Sequence, residues 1–277
     1  MSGGRRTLAT RLTFEGVGIH TGRPSRVTLS PLEEGAGVRF AFGARRYSIR
    51  EAARELSRRN TTIVFPGGER LATTEHVLAA VVGMGLDDVL IEAEGPEIPI
   101  LDGSALPFAR AIAETSLCRG VEPAAVRALV APVCLDAGRA SIIALPSDAL
   151  RLTYVIDYPG TALGTEMKDV VLAPAAFLEE IAPARTFALL AEVEALRASG
   201  LAQGGALENA IIIGDDGPVN DTGYRIPREC AAHKLLDLLG DLALAGPVAR
   251  AHYICVCGGH ALHAKLVERL RGLFPED

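Results

Sequence analysis

Two segments of this chain carry the same pattern. His76–Gly83 reads HVLAAVVG and His233–Gly240 reads HKLLDLLG: a histidine, apolar residues at helical spacing, then a glycine seven residues after the histidine. Each is followed, after a short irregular stretch, by a strand-like run, VLIEAE at Val89–Glu94 and AHYICVC at Ala251–Cys257. A repeat at this separation implies two similar α/β halves, each bringing a histidine-started helix to a common seam. The length, 277 residues, also points to about two domains. The junction is expected at Cys118–Ala128, where Pro123 breaks the run, giving domains 1–120 and 127–277.

In the second copy, Ala231–Leu244 is free of proline and reads as an amphipathic helix on which His233, Asp237 and Asp241 follow at four-residue steps. Residues so spaced share one helical face, so an imidazole and a carboxylate project into the same space. Alone, such a pair is usually a surface interaction worth a few tenths of a kcal/mol. The second histidine changes the weighing. Glu75 precedes His76 where Ala232 precedes His233, and Ala80 stands where Asp237 stands. One half then offers His76 with an adjacent carboxylate, the other His233 with Asp237. Three protein ligands and one open position is the pattern of catalytic rather than structural zinc.

Composition removes several classes of function. A net charge of -6 with only 5% aromatic residues lacks the basic footprint of a nucleic-acid binder. The first residues, MSGGRRTLATRLTF, have basic groups without an apolar core after them, so no secretory signal is read. Together with an odd number of cysteines, five, this suggests a reducing cytoplasm. No apolar run approaches the ~20 residues that span a bilayer. Cys255 and Cys257, one residue apart in a strand-like run, are expected on one face as buried thiols.

Along the chain, Thr7–Ser30 reads as a hairpin whose glycines, Gly16, Gly18 and Gly22, allow a tight turn carrying His20. A dinucleotide fingerprint fails there, because Thr21 takes the third glycine position and no helix follows. Ser48–Leu56 reads as helical, and Thr73 or Thr74 as a side-chain cap for the helix that starts at Glu75. Glu75 has two readings, helix-start stabilisation or catalysis. Strands are expected around Leu129–Leu135, Ala140–Leu145, Leu150–Tyr158 and Asn209–Gly214, and a helix over Ala188–Ser199. His252 and His263 read as ordinary strand and helix residues.

Taken together, GVGIHTG, TTEH, PEIPILDGSALPF, IAPARTF, HKLLDLLGDL and GGHALHAKL, in this order from about Arg6 to Leu270, resemble the UDP-3-O-acyl-N-acetylglucosamine deacetylases, zinc amidases of lipid A biosynthesis. The resemblance implies an α+β fold of two similar two-layer α/β sandwich domains made by duplication, with the active site at their interface. It implies zinc bound by His76, His233 and Asp237, with Glu75 as general base. It further implies His260 as a protonated imidazole oriented by Asp241, Lys234 and Thr186 near the developing oxyanion, Phe187 against substrate and His20 close to the pocket. The implied substrate is a UDP-linked acylated amino sugar, handled by a cytoplasmic enzyme, expected as a monomer, with its acyl chain in an insert near Phe187–Ile213.

Those residue types suit hydrolysis of an unactivated acetamide. A cation held by two imidazoles and a carboxylate lowers the pKa of water from roughly 15.7 towards about 7. A carboxylate takes the proton, donors stabilise the oxyanion at about 3 kcal/mol each, and an imidazolium beside a carboxylate can protonate the departing amine. Two assignments stay open: an alternative gives both proton transfers to Glu75 and leaves His260 electrostatic, and another makes Asp241 the partner of a ligand imidazole instead of His260. Departures from the family pattern fall at Ala188 and Leu189 after ARTF, at RECAA (Arg228–Ala232) and at Tyr158–Glu166. They bear on acyl length or substrate more than on metal chemistry. The rival readings are a zinc deacetylase of another N-acetyl amino sugar and a non-catalytic metal-stabilised binding protein.

Overall fold

The computed structural model describes residues 4–55, 59–115, 117–123 and 126–275. The first half runs β1 (Gly4–Leu8), β2 (Leu12–Val17), β3 (Pro24–Pro31), β4 (Val38–Phe42), β5 (Arg45–Ser48), β6 (Ala53–Glu55), β7 (Thr62–Val64), β8 (Arg70–Leu71), α1 (Glu75–Gly83), β9 (Val89–Glu94), α2 (Leu106–Glu114) and β10 (Leu117–Pro123). The second runs β11 (Val133–Ala137), β12 (Ala140–Leu145), β13 (Arg151–Tyr158), β14 (Gly164–Val171), α3 (Pro174–Ala176) continued by a π-turn at Phe177–Ile181, β15 (Phe187–Leu189), α4 (Leu190–Ala198), β16 (Ile211–Ile213), α5 (Glu229–Ala243), β17 (His252–Val256) and α6 (His260–Leu273).

The duplication is visible in strand order. One five-stranded sheet runs β2-β3-β9-β4-β5 and the other β11-β12-β17-β13-β14. In each, one central strand, β9 or β17, is antiparallel to one neighbour and parallel to the other, with every remaining pair antiparallel. That strand is the strand-like run found after each histidine helix. Burial alternates along the strands as period-two geometry requires: Leu152, Tyr154 and Ile156 on β13, and Tyr253 and Cys255 on β17, face inward.

Helix α5 packs on β13 and β14, α6 on β11 and β12, and α1 on α2 and α5. Apart from half-buried Lys234, every residue of α5 is buried, which marks it as the central helix of the molecule. The seam between halves is closed where α1 meets α5. A methyl on Gly240 would lie 2.0 Å from the Glu75 carbonyl oxygen, so only glycine permits this approach.

Several expectations are corrected. Ser48–Leu56 is not a helix: a single 3-10 turn, Ile49–Glu51, is capped by Ser48 and followed by β6, which pairs with β7. The apolar spacing of Ile49, Ala52 and Ala53 imitated a helix, and pairing with a third strand overrides it; Leu56 lies outside the described residues. Neither Thr73 nor Thr74 caps α1 through its side chain. Instead Thr73 adopts φ 57° and donates its hydroxyl to Glu97 Oε1 at 2.7 Å. The helix expected from Ala188 starts at Leu190, because 187–189 pair in parallel with Ile211–Ile213. The expected junction begins as β10, antiparallel to β1; residues 124–125 lie outside the described residues. Cys255 is buried, but β17 ends at Val256 and Cys257 turns to φ 49°, half-buried, so the two thiols do not share a face.

Candidate metal centre and active site

Glu75 and His76 open α1, and His233 and Asp237 occupy successive turns of α5. One donor atom from each of His76, His233 and Asp237 lies within 4.8 Å of the others, and all three residues are buried. The two imidazoles meet edge-on, centroids 5.1 Å apart. His233 Nδ1 donates to the Ala184 carbonyl at 3.1 Å, leaving Nε2 as the lone-pair nitrogen, 3.4 Å from Asp237 Oδ1. His76 Nδ1 is buried and has no hydrogen-bond partner among the described residues. An orphaned imidazole nitrogen beside a second imidazole and a carboxylate fits a divalent cation, which would satisfy all three.

The Ala184 carbonyl is held in place by a buried strut. Arg185 pairs through Nε with Glu229 Oε1 at 2.9 Å, and its backbone N–H donates to the same oxygen at 3.0 Å. The IAPARTF segment is thereby tied to the first turn of α5. A buried ion pair contributes little net stability, and its effect here is on placement.

Charge in the cluster follows burial and contact. Burial pushes His76 down to about 3, with His233 adding to it, and lowers His233 too; both are neutral, the form that ligates. Burial alone would raise Asp237, but Lys234, whose Nζ lies 2.6 Å from Asp237 Oδ2, and the histidines hold it below the usual carboxylate range. Burial opposes the charge of Lys234 as well, and Asp237 outweighs it, leaving the ammonium raised. Glu75 is pushed up to about 8 by burial, against the pull of His260.

His260 opens α6. Its Nε2 is 3.8 Å from Glu75 Oε1 and 3.7 Å from Asp237 Oδ2, while Nδ1 is 2.8 Å from Asp241 Oδ2. Asp241 thus lies against His260, and the His233 imidazole uses Ala184 instead. Thr61 ties the acids together: its N–H donates to Glu75 Oε2 at 3.1 Å and its hydroxyl to Asp241 Oδ1. Arg54 donates to the Thr61 hydroxyl at 3.1 Å and sits 3.8 Å from Asp241 Oδ2. Despite burial, His260 and Arg54 hold Asp241 well below its ordinary value.

These groups open on a cavity of about 500 Å³ that is also lined by Thr186, Phe187, Lys234 and His20. Thr186 is fixed by its backbone, N–H to the Gly103 carbonyl and carbonyl to the Ile211 N–H, both at 2.8 Å. Phe187 stands edge-on to Tyr158 at 5.9 Å and to His233 at 6.4 Å. His20 rides on a loop organised by Glu97, 1% exposed, which accepts from the His20 and Thr21 N–H groups and from the Thr21 and Thr73 hydroxyls. A methyl at Gly18 would meet that carboxylate at 2.1 Å, so the glycine is required. Away from the polar cluster the cavity wall is apolar: Leu190, Val193, Leu196, Leu207, Ile212 and Val219.

All ten residues singled out from sequence, His20, Glu75, His76, Thr186, Phe187, His233, Lys234, Asp237, Asp241 and His260, come together here; Asp241 lies one layer behind the cavity wall. Sequence reasoning missed Arg54 and Thr61, which carry no motif signal, and gave no role to Glu97, although it lies within the PEIPILDGSALPF motif. It also read His263 as an ordinary helix residue, and this is corrected: His263 is fully buried with Nδ1 2.8 Å from Asp241 Oδ2. A signal was present, since HALH sets two histidines three residues apart on one helical face. Among the described residues no helix is long and apolar enough to cross a membrane.

Comparison with known proteins identifies the family. The chain is 38% identical over 276 residues to the UDP-3-O-acyl-N-acetylglucosamine deacetylase of Anaeromyxobacter dehalogenans (strain 2CP-C), covering 96% of this chain and 87% of that one. It is 37% identical over 267 residues to that of Syntrophotalea carbinolica (95% and 86%) and 36% over 269 residues to that of Phenylobacterium zucineum (95% and 92%). Residues 5–272 match the family model described as UDP-3-O-acyl N-acetylglycosamine deacetylase, and the chain belongs to that family.

Proposed function

We propose that this chain is a zinc-dependent deacetylase that hydrolyses the N-acetyl group of UDP-3-O-acyl-N-acetylglucosamine to a free amine and acetate, in lipid A biosynthesis. The carrying observation is the convergence of donor atoms from His76, His233 and Asp237 within 4.8 Å, beside buried Glu75 and His260. Zinc held by those three residues would supply a Lewis acid and lower the pKa of a bound water to about 7.

Burial favours the protonated form of Glu75, and the charge of a bound cation would oppose that and favour the carboxylate. Ionised Glu75 accepts the proton of the attacking water, and its Oε2 is fixed by the Thr61 N–H, which leaves Oε1 facing His260. The new bond joins water oxygen to the acetyl carbon, and the C–N bond then breaks. His260 Nε2 hands a proton to the departing nitrogen, while Asp241 holds Nδ1 and stabilises the imidazolium. Thr186 and Lys234 stand at the cavity wall as donors towards the carbonyl oxygen, although Lys234 also neutralises Asp237. Phe187 and the apolar wall from Leu190 to Val219 suit an acyl chain, with His20 at the polar edge. That wall favours an acylated substrate over a bare N-acetyl sugar, and the buried Glu75–His260–Asp241 set exceeds what a metal-stabilised binding protein requires. Localisation in the cytoplasm as a monomer completes the reading.

Deacetylase assays on acylated and unacylated UDP-N-acetylglucosamine test it. Turnover restricted to the acylated substrate and abolished by chelation supports it. Equal rates on both remove the acyl specificity, and no turnover on either refutes the activity.

A further inference from the structure

Behind the cavity wall lies a buried polar chain that the mechanism above uses only at its near end. Asp241 Oδ2 is shared by two histidines of α6, His260 Nδ1 and His263 Nδ1, both at 2.8 Å. The far nitrogen of His263, Nε2, is 3.2 Å from the Tyr154 hydroxyl and 3.9 Å from Cys255 Sγ. Tyr154 on β13 and Cys255 on β17 are directly paired across the sheet, so this contact ties the chain to the central strand of the second sheet and its neighbour. His263, Tyr154 and Asp241 are all fully buried, and none of them lines the cavity.

An ionised carboxylate only accepts, so both imidazoles facing Asp241 carry hydrogen on Nδ1. Nε2 of His263 is then the nitrogen that meets the Tyr154 hydroxyl, and burial, by raising Tyr154 well above its ordinary value, keeps the hydroxyl hydrogen in place. Asp241 is accordingly gripped by the Thr61 hydroxyl on one oxygen and by two imidazoles on the other. Without His263 the carboxylate would lose one of those donors and the Tyr154 hydroxyl would keep only Cys255 as partner, both at a cost in the interior. Asp241 would then be held by Thr61, His260 and Arg54 without a second donor on Oδ2 to fix its rotation, and His260 would be less firmly oriented.

We propose that His263, backed by the Tyr154 hydroxyl, is a positioning residue for the deacetylation: it locks Asp241 so that His260 keeps Nδ1 on the carboxylate and Nε2 towards Glu75. The inference rests on the deacetylase reading given above. Its action is through two other residues and not on substrate, so the signature is a loss in kcat with KM and bound zinc intact.

The test compares the full-length zinc-loaded protein with H263L, which fills the space without donors, H263N, whose amide N–H can replace Nδ1–H, and Y154F. Kinetics on UDP-3-O-acyl-N-acetylglucosamine, zinc content and the imidazole 15N spectrum of His260 are measured on each. H263L is expected to lower kcat about 10- to 100-fold, the usual effect of removing an outer partner of a site, with KM and zinc unchanged. H263N is expected to regain most of that loss, and Y154F to show a smaller loss of the same kind. The His260 Nδ1 resonance is expected to be that of a nitrogen hydrogen-bonded to the carboxylate in the parent and H263N, and to be shifted or broadened in H263L. Equal losses in H263N and H263L, a loss confined to KM or zinc, or an unchanged His260 spectrum in H263L would overturn the proposal. If H263L does not fold, a Y154F protein identical to the parent in kcat and His260 spectrum overturns it. A parent inactive on this substrate refutes the deacetylase reading instead, and the His260 spectra still decide the positioning.

Discussion

The residues one and two turns after the histidine are Ala80 in α1 and Met84 just past its end; in α5 the same places hold Asp237 and Asp241. Both helices begin with a glutamate, but Glu229 is consumed by the Arg185 strut, whereas Glu75 points into the site between Thr61 and His260. Even the matched glycines differ in what they accommodate: Gly240 lets α5 touch the backbone of Glu75, while Gly83 makes room for the Phe177 ring. The two copies share a fold because each must bury the same sheet face, and they diverge where they meet, because one site needs one set of groups. A symmetrical site would crowd further carboxylates into a buried cluster where each unpaired charge is costly. Core residues at Ala80 and Met84 avoid that.

The sharpest break in this division of labour is expected at Glu75, which has no functional counterpart in α5. Glu75→Gln should cut turnover by roughly 10²- to 10⁴-fold, the range for a general base, while zinc measured by atomic absorption stays bound. Asp237→Ala makes α5 resemble α1. It should weaken zinc by more than the roughly 10- to 100-fold that loss of an outer partner brings, read by competition with a chelator.

Smaller effects should separate the glycines. Gly240→Ala and Gly83→Ala each force a methyl into occupied space, a cost of about 1–3 kcal/mol in denaturant titrations. Only Gly240→Ala should also slow turnover, because the atom it displaces is the Glu75 carbonyl. Similar turnover losses in both would mean that the seam transmits strain evenly and that the α1–α5 contact has no special role.

The smallest effect concerns pH in the metal-free protein. Burial raises Glu75 from an ordinary 4.5 to about 8. A carboxyl with a raised folded-state value contributes stability that is fully present below about pH 4.5 and is lost as pH rises through about 8. Parent protein should therefore lose stability relative to Glu75→Gln across that window, as followed by thermal melting in chelator. A flat difference would place Glu75 in a more solvated setting than its burial implies.

Much of this was legible in the chain. Helix α5 announced itself because its apolar positions recur without interruption, and its repeat at α1 exposed the duplication that the two sheets share. The candidate ligands His233 and Asp237 were legible because their spacing follows helical geometry, which is local, and His76 because it starts the repeated pattern. What stayed hidden was non-local: Thr61 acts through contacts made by the folding of distant strands, Glu97 was legible as part of a motif but not as the carboxylate that organises the His20 loop, and His263 acquires its partner only when α6 docks on α5. The misread segment at Ser48–Leu56 failed for a related reason, since its apolar spacing suited a helix until β6 found β7.

The central claim is that side chains from both halves hold a single ion. Zinc stoichiometry of the purified parent, His76→Ala and His233→Ala proteins, measured together after exhaustive dialysis, tests it most directly. The expected result is one tightly held zinc per chain in the parent and loss of it in both variants, although the substitutions lie in opposite halves. Full zinc occupancy in either variant would contradict it.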